Sequence, residues 1–128
     1  MGKDLHSSIL PFWERALNNH SNVASWERVT DPSDYIYRVT RVRGGDILIL
    51  ASDCYRYSLT DFLTRNEHIG AGTMIYMAKP ESNYCLEVAD ACKEEHVTIG
   101  MLGEILGALN IDSHWNWESR DRKERRKR

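Results

Sequence analysis

The sequence predicts an α/β fold in a single domain: a central mixed β-sheet with helices on both faces, in the order α-β-β-β-α-β-α-β-α. Three observations carry this. Residues 35–42, Tyr-Ile-Tyr-Arg-Val-Thr-Arg-Val, are rich in the β-branched and aromatic side chains that suit a pleated surface. Residues 46–51 follow across Gly44-Gly45 and, beyond Asp46, are apolar on both faces, as an interior strand covered on two sides must be. Short apolar runs then alternate with stretches of helical periodicity. An antiparallel hairpin followed by strand–helix repeats implies a mixed sheet.

Taken in order, Ser7 or Ser8 is placed to cap a first helix over 9–18, with Pro11 in the first turn, where its missing N–H costs little. Ile9, Trp13, Ala16 and Leu17 then share one face. Residues 24–29 form a short strand, and the cluster Asp31-Pro32-Ser33-Asp34 turns the chain into the strand at 35–42. After the strand at 46–51, Ser58 and Asp61 make a capping box for a helix over 59–66. Gly70-Ala71-Gly72 precedes a strand over 73–78, which Pro80 closes. Ser82 caps a helix over 83–95, with Cys85, Val88, Ala89 and Cys92 on one apolar stripe that places both cysteines in the core. A strand over 97–99 leads to a last helix over 101–109, facing inward with Leu102, Ile105, Leu106 and Leu109.

At 128 residues, with 41% hydrophobic and 28% charged residues, the chain is long enough to bury a core without disulfide or metal staples. No apolar run approaches the roughly 18 residues of a membrane helix. The Met-Gly-Lys-Asp-Leu-His start has neither the apolar stretch of a secretion signal nor, with His6 at the critical position, a myristoylation motif. Cys54, Cys85 and Cys92 are an odd set without a C-x-x-C pair, which argues against a disulfide framework and a zinc site and for a reducing, cytoplasmic setting. The net charge of −2 hides an asymmetry. From residue 118 onward, Arg120, Arg122, Lys123, Arg125, Arg126, Lys127 and Arg128 face three acids, so the tail is +4 and the rest −6. Residues 1–117 are therefore expected to be the domain and 118–128 a basic, disordered tail of the kind that touches polyanions or merely aids solubility.

Four groups of residues are candidates for function. Ser52 and Asp53 follow one strand, and Lys79 and Glu81 the next. If those strands are parallel, all four lie at the carboxyl edge of the sheet, where open α/β folds bind ligands. A lysine beside two carboxylates suits phosphate binding or acid–base work, and the alternative is a salt-bridged surface loop. Arg38, Arg41 and Arg43 lie on a strand with Tyr35 and Tyr37, residue types that pair with phosphate and stack on bases. Strand alternation splits them between two faces, so a single nucleic-acid platform is not implied and a charge-guarded edge strand is the favoured reading. Cys54, just before a helix, is a candidate nucleophile. Finally, Gly100, Gly103 and Gly107 mark the last helix for close backbone approach, within the chain or across a homodimer seam, and Trp115 and Trp117 either cover the core or anchor a partner.

The order α-β-β-β-α-β resembles the core of the restriction-endonuclease-like PD-(D/E)XK superfamily. Residues 73–110 are similar in pattern to the C-terminal part of Mrr-type restriction endonucleases, in the pieces M-I-Y-M-A-K-P, S-N-Y-C-L-E-V-A-D-A-C, H-V-T-I-G and L-G-E-I-L-G-A-L-N. The resemblance implies an Asp on the second core strand and an acidic-x-Lys triplet on the third, the carboxylates holding Mg²⁺ and the lysine orienting water. Asp34 stands at the head of the second strand and Glu14 on the helix, but Asp46-Ile47-Leu48-Ile49-Leu50-Ala51 contains no such triplet. Asp34, Asp46 and Lys79 are the catalytic candidates if they converge. The leading expectation is a nucleic-acid-associated domain of this type without standard nuclease activity, binding DNA or RNA through Arg38, Arg41, Arg43 and the tail residues Arg122, Lys123, Arg125, Arg126, Lys127 and Arg128. No cofactor is expected, save Mg²⁺ in a nuclease, and no membrane partner. Alternatives are a Rossmann-like domain binding a nucleotide or small ligand at Ser52, Asp53, Lys79 and Glu81, and a scaffold or regulatory subunit working by protein contacts.

Overall fold

A five-stranded mixed sheet runs through the computed structural model, which describes Leu5 and residues 7–127. In chain order the elements are α1 (Ile9–Asn18), β1 (Val23–Val29), β2 (Tyr35–Arg41), β3 (Ile47–Ser52), β4 (Arg56–Tyr57), α2 (Leu59–Leu63), β5 (Met74–Met77), β6 (Asn83–Tyr84), α3 (Leu86–Glu94), β7 (Thr98–Gly100), α4 (Leu102–Ala108), a 3₁₀ turn (His114–Asn116) and α5 (Arg120–Arg126). The predicted order is present, with the β4–β6 pair, the 3₁₀ turn and α5 added to it.

The sheet order is β1-β2-β3-β5-β7. β1, β2 and β3 form an antiparallel meander, whereas β5 is parallel to β3 and β7 is parallel to β5. Strand alternation divides the apolar side chains into two cores, one on each face. On one face Trp13 and Leu17 of α1 and Ile105, Ala108 and Leu109 from α4 and its end cover Tyr37, Val39, Ile49, Met74 and Tyr76. On the other, Phe62 of α2 and Val88, Ala89 and Cys92 of α3 cover Ile36, Leu50, Ile75 and Ile99. Covered on both sides, β5 and, as far as Ala51, β3 have the apolar composition that such strands require.

Several boundaries differ from expectation for identifiable reasons. The capping box of Ser58 and Asp61 is formed, yet α2 stops at Leu63. There the Arg65 guanidinium donates to the Phe62 and Ile69 carbonyls and folds the following turn back on the helix. The helix expected from residue 83 starts at Leu86, because Asn83 and Tyr84 pair in parallel with Arg56 and Tyr57. Ser82 does not cap it; its hydroxyl donates to the Cys54 carbonyl at 2.9 Å. Cys85 is therefore the exposed N-cap residue of α3, not a core residue, while Cys92 is fully buried as expected.

The tail is ordered over most of its length. Residues expected to be a disordered extension form α5, capped by the Ser119 hydroxyl on the Arg122 N–H. Arg122 is buried against the body. Composition alone misses this, because the anchor is a pocket of acceptors supplied by distant elements. Arg128 lies outside the described residues.

Candidate functional site

The strand registers decide which predicted residues meet. Tyr35 is opposite Ala51, and Ser52 is level with Met77. Asp34, Ser52, Asp53 and Lys79 thus lie along one edge of the sheet, the carboxyl edge of the parallel strands. Asp46 does not join them. It precedes Ile47, which pairs with Val39, so it lies at the other end of the hairpin, roughly 20 Å of strand away from Asp34 at about 3.3 Å per residue. The convergence of Asp34, Asp46 and Lys79 is thereby corrected. The register puts Asp34 level with Ser52, and the neighbouring β3 residues Leu50 and Ala51 are buried and apolar.

At this edge Asp31 organises the turn before β2. Its Oδ1 accepts from the backbone N–H groups of Ser33 and Asp34, both at 2.9 Å. Asn66 Nδ2 bridges Asp34 Oδ2 at 2.9 Å and Asp31 Oδ2 at 3.2 Å, and His68 Nδ1 lies 3.6 Å from Asp31. The Ser33 backbone bond, then the Asn66 side-chain bond, holds the Asp31 carboxyl below the usual carboxylate range. The turn cluster at 31–34 announces the Asp31 motif; no local signal announces Asn66, which arrives from the end of α2. A shallow cleft of about 240 Å³ lies beside it, bounded by Arg28, Asp34 and Tyr37. Glu14 is spent at its back: it accepts from the Tyr37 hydroxyl at 2.6 Å and pairs with Arg28.

The predicted ligand edge is largely closed by its own loops. The buried Ser52 hydroxyl accepts from the Cys54 N–H at 3.1 Å, and the Asn83 N–H donates to the Tyr55 carbonyl at 3.0 Å. With the β4–β6 pair, these bonds zip the loop after β3 to the loop after β5. Asp53 and Lys79 are half-buried and Glu81 is exposed. Cys54 is not an activated nucleophile. Burial pushes its thiol up, and the charges of Asp61, Asp53 and Asp34 add to that, outweighing the Ser52 hydrogen bond. Among the described residues no group of three or more His, Cys, Asp or Glu side chains is arranged to hold a metal ion.

The predicted nucleic-acid residues separate into two sets. Arg41 is buried, donating to the carbonyls of Gly45, Leu109 and Ile111 and pairing with Asp112 at 3.1 Å. Arg122 donates to the Tyr84 hydroxyl and the Ile99 carbonyl, and Arg126 pairs with Asp90 and Glu118, each at 2.6 Å. Arg125 lies over the Tyr84 ring and Arg38 pairs with Glu27. Arg41, Arg122, Arg125 and Arg126 are held against the body, whereas the Arg38–Glu27 pair is exposed. Arg43, Lys123 and Lys127 are exposed.

Of the three glycines expected in the last helix, Gly100 instead ends β7 and only Gly103 and Gly107 lie in α4; two of the three are explained within the chain. A Cβ on Gly100 would meet Glu104, and one on Gly107 would come 2.8 Å from the Trp117 ring; Gly103 faces open space, against expectation. Trp117 covers the core, and Trp115 stacks on His96 with ring centroids 4.4 Å apart.

Comparison with known proteins gives no match: no family model, no curated protein and no solved structure is significantly similar to the chain. Among the described residues no helix is long and apolar enough to cross a membrane.

Proposed function

We propose that this chain is a nucleic-acid-binding domain of restriction-endonuclease-like architecture that does not cleave by the two-carboxylate and lysine scheme. The antiparallel β1-β2-β3 meander, followed through α2 by β5 parallel to β3, supports the kinship. The distance between Asp34 and Asp46, and the Leu50-Ala51-Ser52 stretch alongside Asp34, support a binding role.

One observation carries the choice of nucleic acid: α5 is docked with its cations sorted by face. Arg122, Arg125 and Arg126 point to the body, whereas Arg120, Lys123 and Lys127, at i, i+3 and i+7, share the outward face with Glu124. The three outward cations are exposed and carry no ion pair among the described residues. A rigid helix presenting three cations meets a phosphate backbone without the ordering cost of a flexible tail. Three free thiols, one of them the exposed Cys85, support a reducing, cytoplasmic location.

Fluorescence anisotropy with labelled DNA and RNA duplexes tests this. If the three outward cations make the phosphate contacts, raising salt from about 50 to about 200 mM weakens binding about 40-fold, from a slope near −0.9 per contact. The triple variant Arg120→Ala, Lys123→Ala, Lys127→Ala loses binding while keeping the anchors. Deleting the tail is a poorer test, because it also removes Arg122 from the core. Absence of binding in about 50 mM salt, or binding unchanged in the triple variant, rejects the reading. Mg²⁺-dependent cleavage abolished by Asp34→Ala would reject its non-cleaving part.

A further inference from the structure

A groove of about 480 Å³ opens where the carboxyl end of β5 passes between the first turns of α1 and α4. Its walls are Ile9 and Phe12 of α1, Tyr76 of β5, and Met101 and Leu102 at the start of α4, with Arg15 at the rim. The volume falls within the range of roughly 300–1,000 Å³ common to small-ligand sites. Its position, outside the carboxyl ends of parallel strands, is where open α/β sheets receive ligands. Phe12 is 51% exposed, an unusual placement for a large aromatic on a helix that otherwise buries its apolar face.

Two polar groups give the groove a chemical direction. Tyr76 is 3% exposed, yet its hydroxyl has no hydrogen-bond partner among the described residues and is not fully sealed from the groove. Buried hydroxyls are normally paired, so this one is an open donor on the groove wall. Its ring is held by Trp13, stacked at 4.3 Å, which fixes where the donor points. Arg15 is exposed and carries no ion pair among the described residues. Among the described residues no carboxylate lines the groove.

We infer that the groove between α1, β5 and α4 binds a small amphipathic carboxylate, with its apolar body against Ile9, Phe12 and Leu102 and its carboxylate on Arg15 and the Tyr76 hydroxyl. An apolar trough with one fixed neutral donor and one cation complements an anion on a hydrocarbon body; a neutral hydrocarbon leaves both groups unused, and a cation is repelled by Arg15. The site shares no residue with the outward face of α5, so it stands or falls apart from the nucleic-acid reading.

Calorimetric titration of the full chain with decanoate, below its micelle concentration, and with decan-1-ol tests the inference. Decanoate binds in a single saturable step and more tightly than decanol. Arg15→Gln, an exposed change on α1, weakens decanoate about tenfold and leaves decanol unchanged, as loss of one charge-assisted contact requires. Tyr76→Phe weakens decanoate several-fold, and Leu102→Trp, which fills the groove, removes both ligands. Three results overturn it: no binding of decanoate, decanoate binding indifferent to Leu102→Trp, or equal affinity for acid and alcohol with no effect of Arg15→Gln. Because Arg15 lies on the surface, its variant keeps the test decisive even if Tyr76→Phe perturbs folding.

Discussion

The Arg122 guanidinium lies 2.7 Å from the Tyr84 hydroxyl, and through that contact the last helix is built into the core. The same Nη2 donates to the Ile99 carbonyl at 2.6 Å and stands 3.4 Å from Glu104, to which the Tyr84 hydroxyl itself donates at 2.7 Å. One arginine thus joins β6, β7, α4 and α5. Burial, opposed by the nearby Arg122 charge, pushes the Tyr84 phenol up to about 12, so the hydroxyl keeps its proton for Glu104 across the physiological range.

Arg122→Ala is therefore expected to cost about 3 kcal/mol, since it takes the donor from the buried Ile99 carbonyl, the cation from the half-buried Glu104 and the packing of a buried side chain. Urea denaturation of Arg122→Ala beside Lys123→Ala measures the difference. The lysine variant changes stability by less than about 0.5 kcal/mol, as an exposed position does. Equal effects would mean that α5 is not docked.

Arg41 invites the same comparison within β2. It tethers the strand end to the carbonyls past α4, where helix-terminal acceptors need donors, and its guanidinium fills the space beside Gly44, at φ +104°. Arg41→Ala should destabilise by about 1–3 kcal/mol, because it takes the guanidinium donors away from the Gly45 and Ile111 carbonyls and empties the space they fill. Arg38→Ala, which breaks only an exposed pair with Glu27, should fall within about 0.5 kcal/mol of the parent. Similar denaturation midpoints for the two variants would contradict the buried clamp.

How far the molecule can be read from its sequence differs by element. The sheet is legible because β2 and β3 combine β-branched composition with a glycine reversal, and the capping box of Ser58 and Asp61 acts within four residues. Residues whose roles depend on distant partners are not legible. Arg41 and Arg122 look like surface cations in sequence, and only the acceptors contributed by residues near 84, 99, 104 and 109 turn them into core residues. Cys85 reads as core by helical spacing, but the β4–β6 pairing starts the helix one turn late and leaves it exposed. The register placing Asp34 and Asp46 at opposite ends of the hairpin follows from antiparallel pairing itself, a geometric signal that the residue types alone obscure.

The glycines of α4 provide an opposed pair of substitutions. Gly107→Ala drives a Cβ to 2.8 Å from the Trp117 ring and should destabilise by about 1–3 kcal/mol, the cost of overpacking. Gly103→Ala meets nothing within 4 Å and should stabilise by about 0.5–1 kcal/mol, the difference in helix propensity. Thermal melts of the two variants should move in opposite directions. A rise for Gly107→Ala would show that Trp117 does not rest on α4.

His114 gives the fold a pH dependence of known sign. It is 1% exposed, with Nδ1 accepting from the Thr98 hydroxyl at 2.5 Å and Nε2 donating to the Gly72 carbonyl at 3.0 Å, a pattern that suits the neutral ring. Burial, reinforced by the charge of Arg41 and opposed by the Gly72 bond, lowers its pKa below the usual 6.5. The unfolded chain then binds a proton near pH 6.5 that the folded chain refuses until lower pH. The stability contributed by the neutral ring is therefore complete above about 6.5 and falls as pH drops from there toward the depressed folded value, by at most about 1.4 kcal/mol per pH unit. Urea midpoints between pH 5 and 8 should decline on the acid side in the parent and less steeply in His114→Asn. Parallel pH profiles for the two proteins would show that another group carries the acid sensitivity.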